Sequence, residues 1–268
     1  MSQTPSLSLR TAALLVGLVG VVSLLSACKA NNKDVLVAPK QLVSPYNPDQ
    51  GDVLWAIVPL HNESGVSIVN ADMLSDKLVI AAEEVQGIHA LPLNRTIQAM
   101  RALKMNAVQT PADAKRLAQA MGADGVLVGS ITAYDPYQPT LGVSLALFAS
   151  SEPMRAASRQ VDPRALASAP TDSGGSGGGW QDHPVAVASE NLDAKNNQVL
   201  MDVKSYADGR QNGPSALSWR RYLASMDLYS EFAMYHMLDD LLRQEWVRVS
   251  RVSGAVQRPL AGAAEQER

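Results

Sequence analysis

Two apolar runs in the middle of the chain constrain its fold more than any other feature. "DGVLVGSITAYD" occupies residues 124–135, the turn "PYQP" follows, and "TLGVSLALF" occupies residues 140–148. Both runs have the length and the β-branched, small-residue character of strands, and the proline-bounded turn between them is short. The pair predicts an antiparallel hairpin, and any fold of this chain has to be built on it.

The flanking sequence supplies helices and further strands. "VLWAIVP" at residues 53–59 is an apolar run closed by proline and reads as a buried strand, with "LHNESG" as the loop after it. Asn70 is placed to cap a helix in which Ala71, Leu74, Leu78, Ala81 and Val85 recur at helical spacing, and Gly87 ends it. "IHALPL" reads as a second strand, and Asn94 as the cap of a helix reaching Lys104. Thr110-Pro111-Ala112-Asp113 is a helix start, with a cap residue, a proline in the first turn and an acid near the positive end of the helix dipole. Gly122 stops that helix. After the hairpin, "PVAVAS" is a strand, residues 193–208 hold a helix, and residues 226–246 form a long amphipathic helix. Leu228, Phe232, Tyr235, Leu238 and Leu242 mark its apolar face. The order β-α-β-α-α-β-β-(flexible insertion)-β-α-α predicts an α/β fold, a mixed β-sheet with packed helices.

The ends and one internal segment stand apart. Residues 1–10 carry a single positive side chain, and residues 11–25 are apolar. A bilayer span needs about 20 apolar residues, so this shorter run suits a signal peptide. Leu25-Ser26-Ala27-Cys28 then matches the lipobox of bacterial lipoproteins. Small residues fit the signal-peptidase cleft, and the cysteine sulfur takes a diacylglyceryl group through a thioether. Cleavage before Cys28 frees an amine for further acylation, palmitate being a typical chain. Two or three chains anchor stably where one is marginal. Residues 1–27 are thus expected to be removed, and residues 28–52, polar with Pro39, Pro45 and Pro48, to form a lipidated flexible tether with a reach of roughly 25–30 Å. Residues 53–253 are expected to form one domain. Within it, residues 150–182, with "GGSGGG", read as a flexible insertion, and residues 254–268 as a disordered tail.

Composition excludes several function classes. Net charge is −3 with no basic stripe, which argues against nucleic-acid partners. One cysteine permits neither an internal disulfide nor a cysteine zinc cluster. The four histidines (His61, His89, His183 and His236) form no H-x-x-x-H pair, so neither a metal nor another cofactor is expected. Gly122, Gly125 and Gly129 are not followed by Gly-Lys-Ser/Thr and serve helix termination and close packing better than phosphate binding. There is no G-x-S-x-G elbow, and His61 with Ser64 sits in a loop. Asn62-Glu63-Ser64 and Asn94-Arg95-Thr96 are formal glycosylation sequons and incidental in a bacterial lipoprotein.

Two blocks carry a family resemblance. "LWAIVPLHNESG", through Val58, Pro59, Asn62, Ser64 and Gly65, resembles the opening strand and loop of an envelope lipoprotein superfamily. Its members include the curli-secretion lipoproteins, the penicillin-binding-protein activator lipoproteins and the amino-terminal domain of TolB. "AKRLAQAMGADGVLVGSITAYD", through Gly122, Ala123, Asp124, Gly129 and Tyr134, resembles their later helix-strand unit. The resemblance covers residues 54–148. His61 replaces a frequent phenylalanine, no membrane hairpins are evident, and the helical carboxy-terminal third has no counterpart. It implies a globular periplasmic fold with an accessory role and argues against a pore.

The remaining candidates for function are partner contacts. Tyr134 and Tyr137 flank the hairpin turn, and Trp219, Arg220, Arg221 and Tyr222 set two guanidinium groups between aromatics. Such groups combine rigid apolar area with directional hydrogen bonds, and arginine meets carboxylates and phosphates. The expected protein is a non-catalytic binding or accessory lipoprotein, bound to the membrane through lipid on Cys28 and facing the periplasm. Lys29 after the cysteine, where aspartate marks inner-membrane retention, leans toward the outer membrane. Its partner would be an envelope protein or peptidoglycan. The alternative is a subunit of an oligomeric secretion or envelope-assembly complex. An enzyme would instead require titratable groups converging in a cleft.

Overall fold

The computed structural model describes residues 41–46, 51–150, 154, 179–208, 210 and 216–256. All of them belong to one unit, Ala38–Arg268. The signal peptide with Leu25, Ser26 and Ala27, the lipidated Cys28, most of the tether, the interior of the insertion and residues 257–268 lie outside the described residues.

The sheet is mixed, as expected. Strand β1 (Val53–Ile57) lies between β3 (Ile88–Ala90) and β4 (Gly125–Asp135), parallel to both. Strands β4, β5 (Thr140–Ala149) and β6 (Ala186–Asp193) follow antiparallel, giving the order β3-β1-β4-β5-β6. β1 reads as a continuous apolar run because both its faces are covered. Val53, Trp55 and Ile57 enter one core, while Ala56, with Val58 beyond the strand end, enters the other. The "LHNESG" segment is not wholly a loop. His61–Asn62 forms a short strand β2 that pairs with Ser130 and Ile131, so β1 and β2 lie in succession along β4.

Helix α1 (Ala71–Glu83) starts where expected, with the Asn70 side chain accepting from the Met73 N–H at 3.0 Å. Helix α2 (Leu93–Ala102) does not start at an Asn94 cap. The Leu91 N–H still donates to Trp55 O at 2.8 Å, Pro92 turns the chain, and Leu93 is already buried in the first helical turn. Core burial of Leu93 places the boundary one residue ahead of the asparagine. Helix α3 (Pro111–Met121) has a complete capping box between Thr110 and Asp113 and ends at Gly122, whose φ of 66° is the left-handed conformation glycine tolerates. Helix α4 (Asn197–Ala207) is capped by Asn196. A single 3-10 turn (Ser218–Arg220) and the short α5 (Arg221–Ala224) lead into α6 (Met226–Val256), which runs past the expected end at Trp246 and overlaps the expected tail.

Helices α1, α4 and α6 cover one face of the sheet and enclose the larger core; α2 and α3 cover the other face over β1, β4 and β5. The buried face of α6 is wider than the expected stripe. Tyr229, Ala233, Met237 and Leu241 are buried beside Phe232, Leu238 and Leu242, because α6 packs on both the sheet and α1.

Two segments read as flexible from sequence pack against the domain at their described positions. In the expected tether, Leu42, Ser44 and Tyr46 are buried, and the chain pairs with Gln86 through Ser44 N–H to Gln86 O and Gln86 N–H to Leu42 O, both 2.9 Å. Alternating Leu42, Ser44 and Tyr46 therefore act as a short edge segment. At the ends of the insertion, Ser150 bridges Trp180 and Met154 is 3% exposed.

Candidate functional site

The residues that carry the family resemblance serve the fold. Asn62 Oδ1 accepts from the Ser64 N–H (3.1 Å) and the Ser64 hydroxyl (2.7 Å), and Asn62 Nδ2 donates to Val66 O (2.9 Å). With Gly65 at a φ of 72°, "NESG" is a self-bonded turn. Asp124 ties the two blocks together: its carboxylate accepts the Leu54 N–H at 2.8 Å, and its own N–H donates to Leu54 O at 2.8 Å. Gly129 has no room for a side chain; a Cβ there would lie 2.6 Å from Leu145 Cδ2, 2.7 Å from Ser144 O and 2.8 Å from Leu60 Cδ2. The Ser64 hydroxyl is engaged by Asn62 within the "NESG" turn.

The six predicted contact residues separate into two places. Tyr137 sits at the tip of the β4–β5 hairpin, 91% exposed, on a turn fixed by Asp135 Oδ1, which accepts the N–H groups of Tyr137 (2.9 Å) and Gln138 (3.2 Å). Tyr134 is half-buried against the larger core, and burial raises its phenol pKa. Arg220 is exposed with its guanidinium 5.1 Å from the half-buried Trp219 ring. Arg221 lies over Tyr222 at 5.0 Å and donates to its hydroxyl at 3.2 Å. Tyr222 is only 3% exposed, which corrects its expected role. It is a packing residue, edge-on to Tyr206 at 5.4 Å.

Tyr206 leads to a site that sequence reasoning missed. Arg210 lies between the rings of Tyr206 (4.1 Å) and Tyr235 (4.8 Å), with Glu84 at 3.7 Å. These rings, with Phe232, His236 and Arg243, line a cleft of about 180 Å³ between α4 and α6. Burial, only partly offset by Arg210, raises the Tyr206 phenol well above its ordinary pKa, so the hydroxyl stays protonated.

Beside this cleft His236 Nε2 lies 3.0 Å from Glu190 Oε2, and Asp240 completes a cluster in which one ligand-type atom from each residue lies within 4.8 Å of the others. The cluster is assembled in three dimensions, from residues among which no histidine pair occurs. His236 and Asp240 are four residues apart on one face of α6. Glu190 projects from β6 in the inward row Ala186, Ala188, Glu190, Leu192. The available signal was a carboxylate interrupting an apolar alternation, which histidine spacing does not reveal. Burial first, and then Asp240 beside it, raises the Glu190 carboxyl above its ordinary pKa, with His236 opposing.

No protein-family model matches the chain, and no curated protein matches it. Solved structures similar to it include the LpoB C-terminal domain from Salmonella enterica (16% identity, 39% of this chain and 76% of that one, TM-score 0.32). Others are lipoprotein GNA1162 from Neisseria meningitidis (18%, 57% and 94%, TM-score 0.33) and protein XCC0632 from Xanthomonas campestris (11%, 81% and 97%, TM-score 0.32). At these TM-scores the likeness assigns no activity.

Proposed function

We propose that this chain is a lipid-anchored lipoprotein of the bacterial envelope that faces the periplasm and works as a non-catalytic binding or accessory protein. One observation carries the reading: Leu25-Ser26-Ala27-Cys28 closes an apolar run too short to span a bilayer and contains the chain's one cysteine. In this reading the lipid on Cys28 is the anchor; among the described residues no helix is long and apolar enough to cross a membrane. Lys29 favours the outer membrane. The α/β domain hangs from a tether that ends at the packed segment 41–46. Its exposed Tyr137 and Arg220 are the groups offered to an envelope protein or to peptidoglycan.

The test is metabolic labelling with an alkyne fatty acid. Wild-type chain should take up label and migrate as the cleaved form, and Cys28→Ala should remain an unlabelled precursor. Labelling that persists in Cys28→Ala overturns the reading.

A further inference from the structure

The geometry points to a divalent transition-metal site, best suited to Zn²⁺, formed by Glu190 of β6 with His236 and Asp240 of α6. The first argument is charge. Glu190 and Asp240 bring carboxylate oxygens within 4.8 Å of each other. Among the described residues no lysine or arginine lies within ion-pair distance of either; Arg243 acts on Asp240 only from farther off, and His236 Nε2 lies 3.0 Å from Glu190. Two carboxylates so close need a shared proton or a cation between them.

The second argument is geometry. Zn²⁺ binds imidazole nitrogen and carboxylate oxygen at about 2.0–2.2 Å, so neighbouring ligand atoms in a tetrahedral site lie about 3.4 Å apart. The His236–Glu190 pair is at 3.0 Å and the whole set lies within 4.8 Å, so small side-chain movements would bring the three to coordinating distance, with water as the fourth ligand. All three residues are half-buried: enclosed enough to hold an ion, open enough to admit one.

The third argument is ligand chemistry. One imidazole and two carboxylates match Zn²⁺, whereas Ca²⁺ and Mg²⁺ prefer oxygen alone. The backbone supports the site on both sides. α6 provides two ligands one helical turn apart, and β6 provides the third from a strand already fastened to α6 by Gln244, which bonds both Val187 N–H (3.1 Å) and Val187 O (2.7 Å). A bound ion clamps the long helix to the edge strand and stabilises the folded state in proportion to its occupancy.

The test uses the purified full chain after chelator treatment, titrated with Zn²⁺ by calorimetry and followed by thermal melting. The expected result is one Zn²⁺ per chain at micromolar concentrations, with a rise in Tm that Mg²⁺ at the same concentration does not give. His236→Gln and Asp240→Asn should each weaken binding about tenfold or more. His89→Ala, remote from the cluster, should leave it intact, and so separates this site from the exposed His89–Glu83 pair. Absence of a single stoichiometric site in wild type overturns the proposal. So does a titration unchanged by both His236→Gln and Asp240→Asn.

Discussion

The Tyr46 hydroxyl donates to Glu245 Oε2 at 3.1 Å, across 199 positions of sequence, and fastens the segment before β1 to α6. Glu245 is fully buried, and Arg248 holds both its oxygens at 2.8 Å. Trp246 adds a second bond from its indole N–H to Val43 O at 3.1 Å. Burial, followed by the charge of Glu245, raises the Tyr46 phenol well above its ordinary pKa. Tyr46→Phe removes one hydrogen bond and leaves Glu245 paired with Arg248, so about 1 kcal/mol should be lost. Glu245→Ala removes the buried carboxylate that both Arg248 and the Tyr46 hydroxyl bond and should cost about 3 kcal/mol or more. Urea melts of the two variants check the order; an equal cost would mean that the ion pair contributes nothing beyond the tyrosine bond.

Gly129→Ala tests why the second resembling block needs its glycine. The new methyl would press against the Ser144 carbonyl, a backbone atom, as well as Leu145 and Leu60. Overpacking of this kind costs about 1–3 kcal/mol, and thermal melting should show a fall in Tm. An unchanged Tm would mean that β4 and β5 separate freely at that point.

The capping box of α3 makes stability depend on pH. Hydrogen bonding from Thr110 lowers the Asp113 pKa below its ordinary value. A depressed carboxyl contributes stability above its unfolded pKa of about 3.9, and that contribution is lost as pH falls through the lower folded value. Thr110→Ala should cost about 1 kcal/mol at neutral pH through loss of the cap. It should also flatten the acid limb of the stability curve below about pH 4. Denaturant melts between pH 2.5 and 7 check both; an unchanged acid limb would show that Thr110 does not hold the carboxylate.

Exposure separates the candidate contact residues. Tyr137→Ala should change stability by no more than about 0.5 kcal/mol, whereas Tyr222→Ala should cost about 3 kcal/mol, since Tyr222 is buried against Tyr206. A photo-crosslinking residue at position 137 or 220 should give a light-dependent adduct with an envelope component in intact cells. Failure at both positions removes these residues from the contact surface.

Local chemistry was legible without the structure. Thr110, Pro111 and Asp113 act within one turn, so their box could be read directly, as could the Asn70 cap and the hairpin of β4 and β5. Asn94 misled because capping propensity is weak beside the burial of Leu93, a tertiary matter. Leu42, Ser44 and Tyr46 were unreadable as ordered because their partners, Gln86 and Glu245, lie far along the chain.

The sequence alone determined the lipobox motif at Cys28, the helix starts at Asn70 and Thr110, the hairpin and the α/β class, because each rests on residues a few positions apart. Only the tertiary structure decided that residues 41–46 belong to the domain, that Tyr222 packs inward, and that Glu190 meets His236 and Asp240. Those outcomes depend on how α6 lies across the sheet. That placement is set by burial of apolar surface shared among distant elements, which no local pattern encodes.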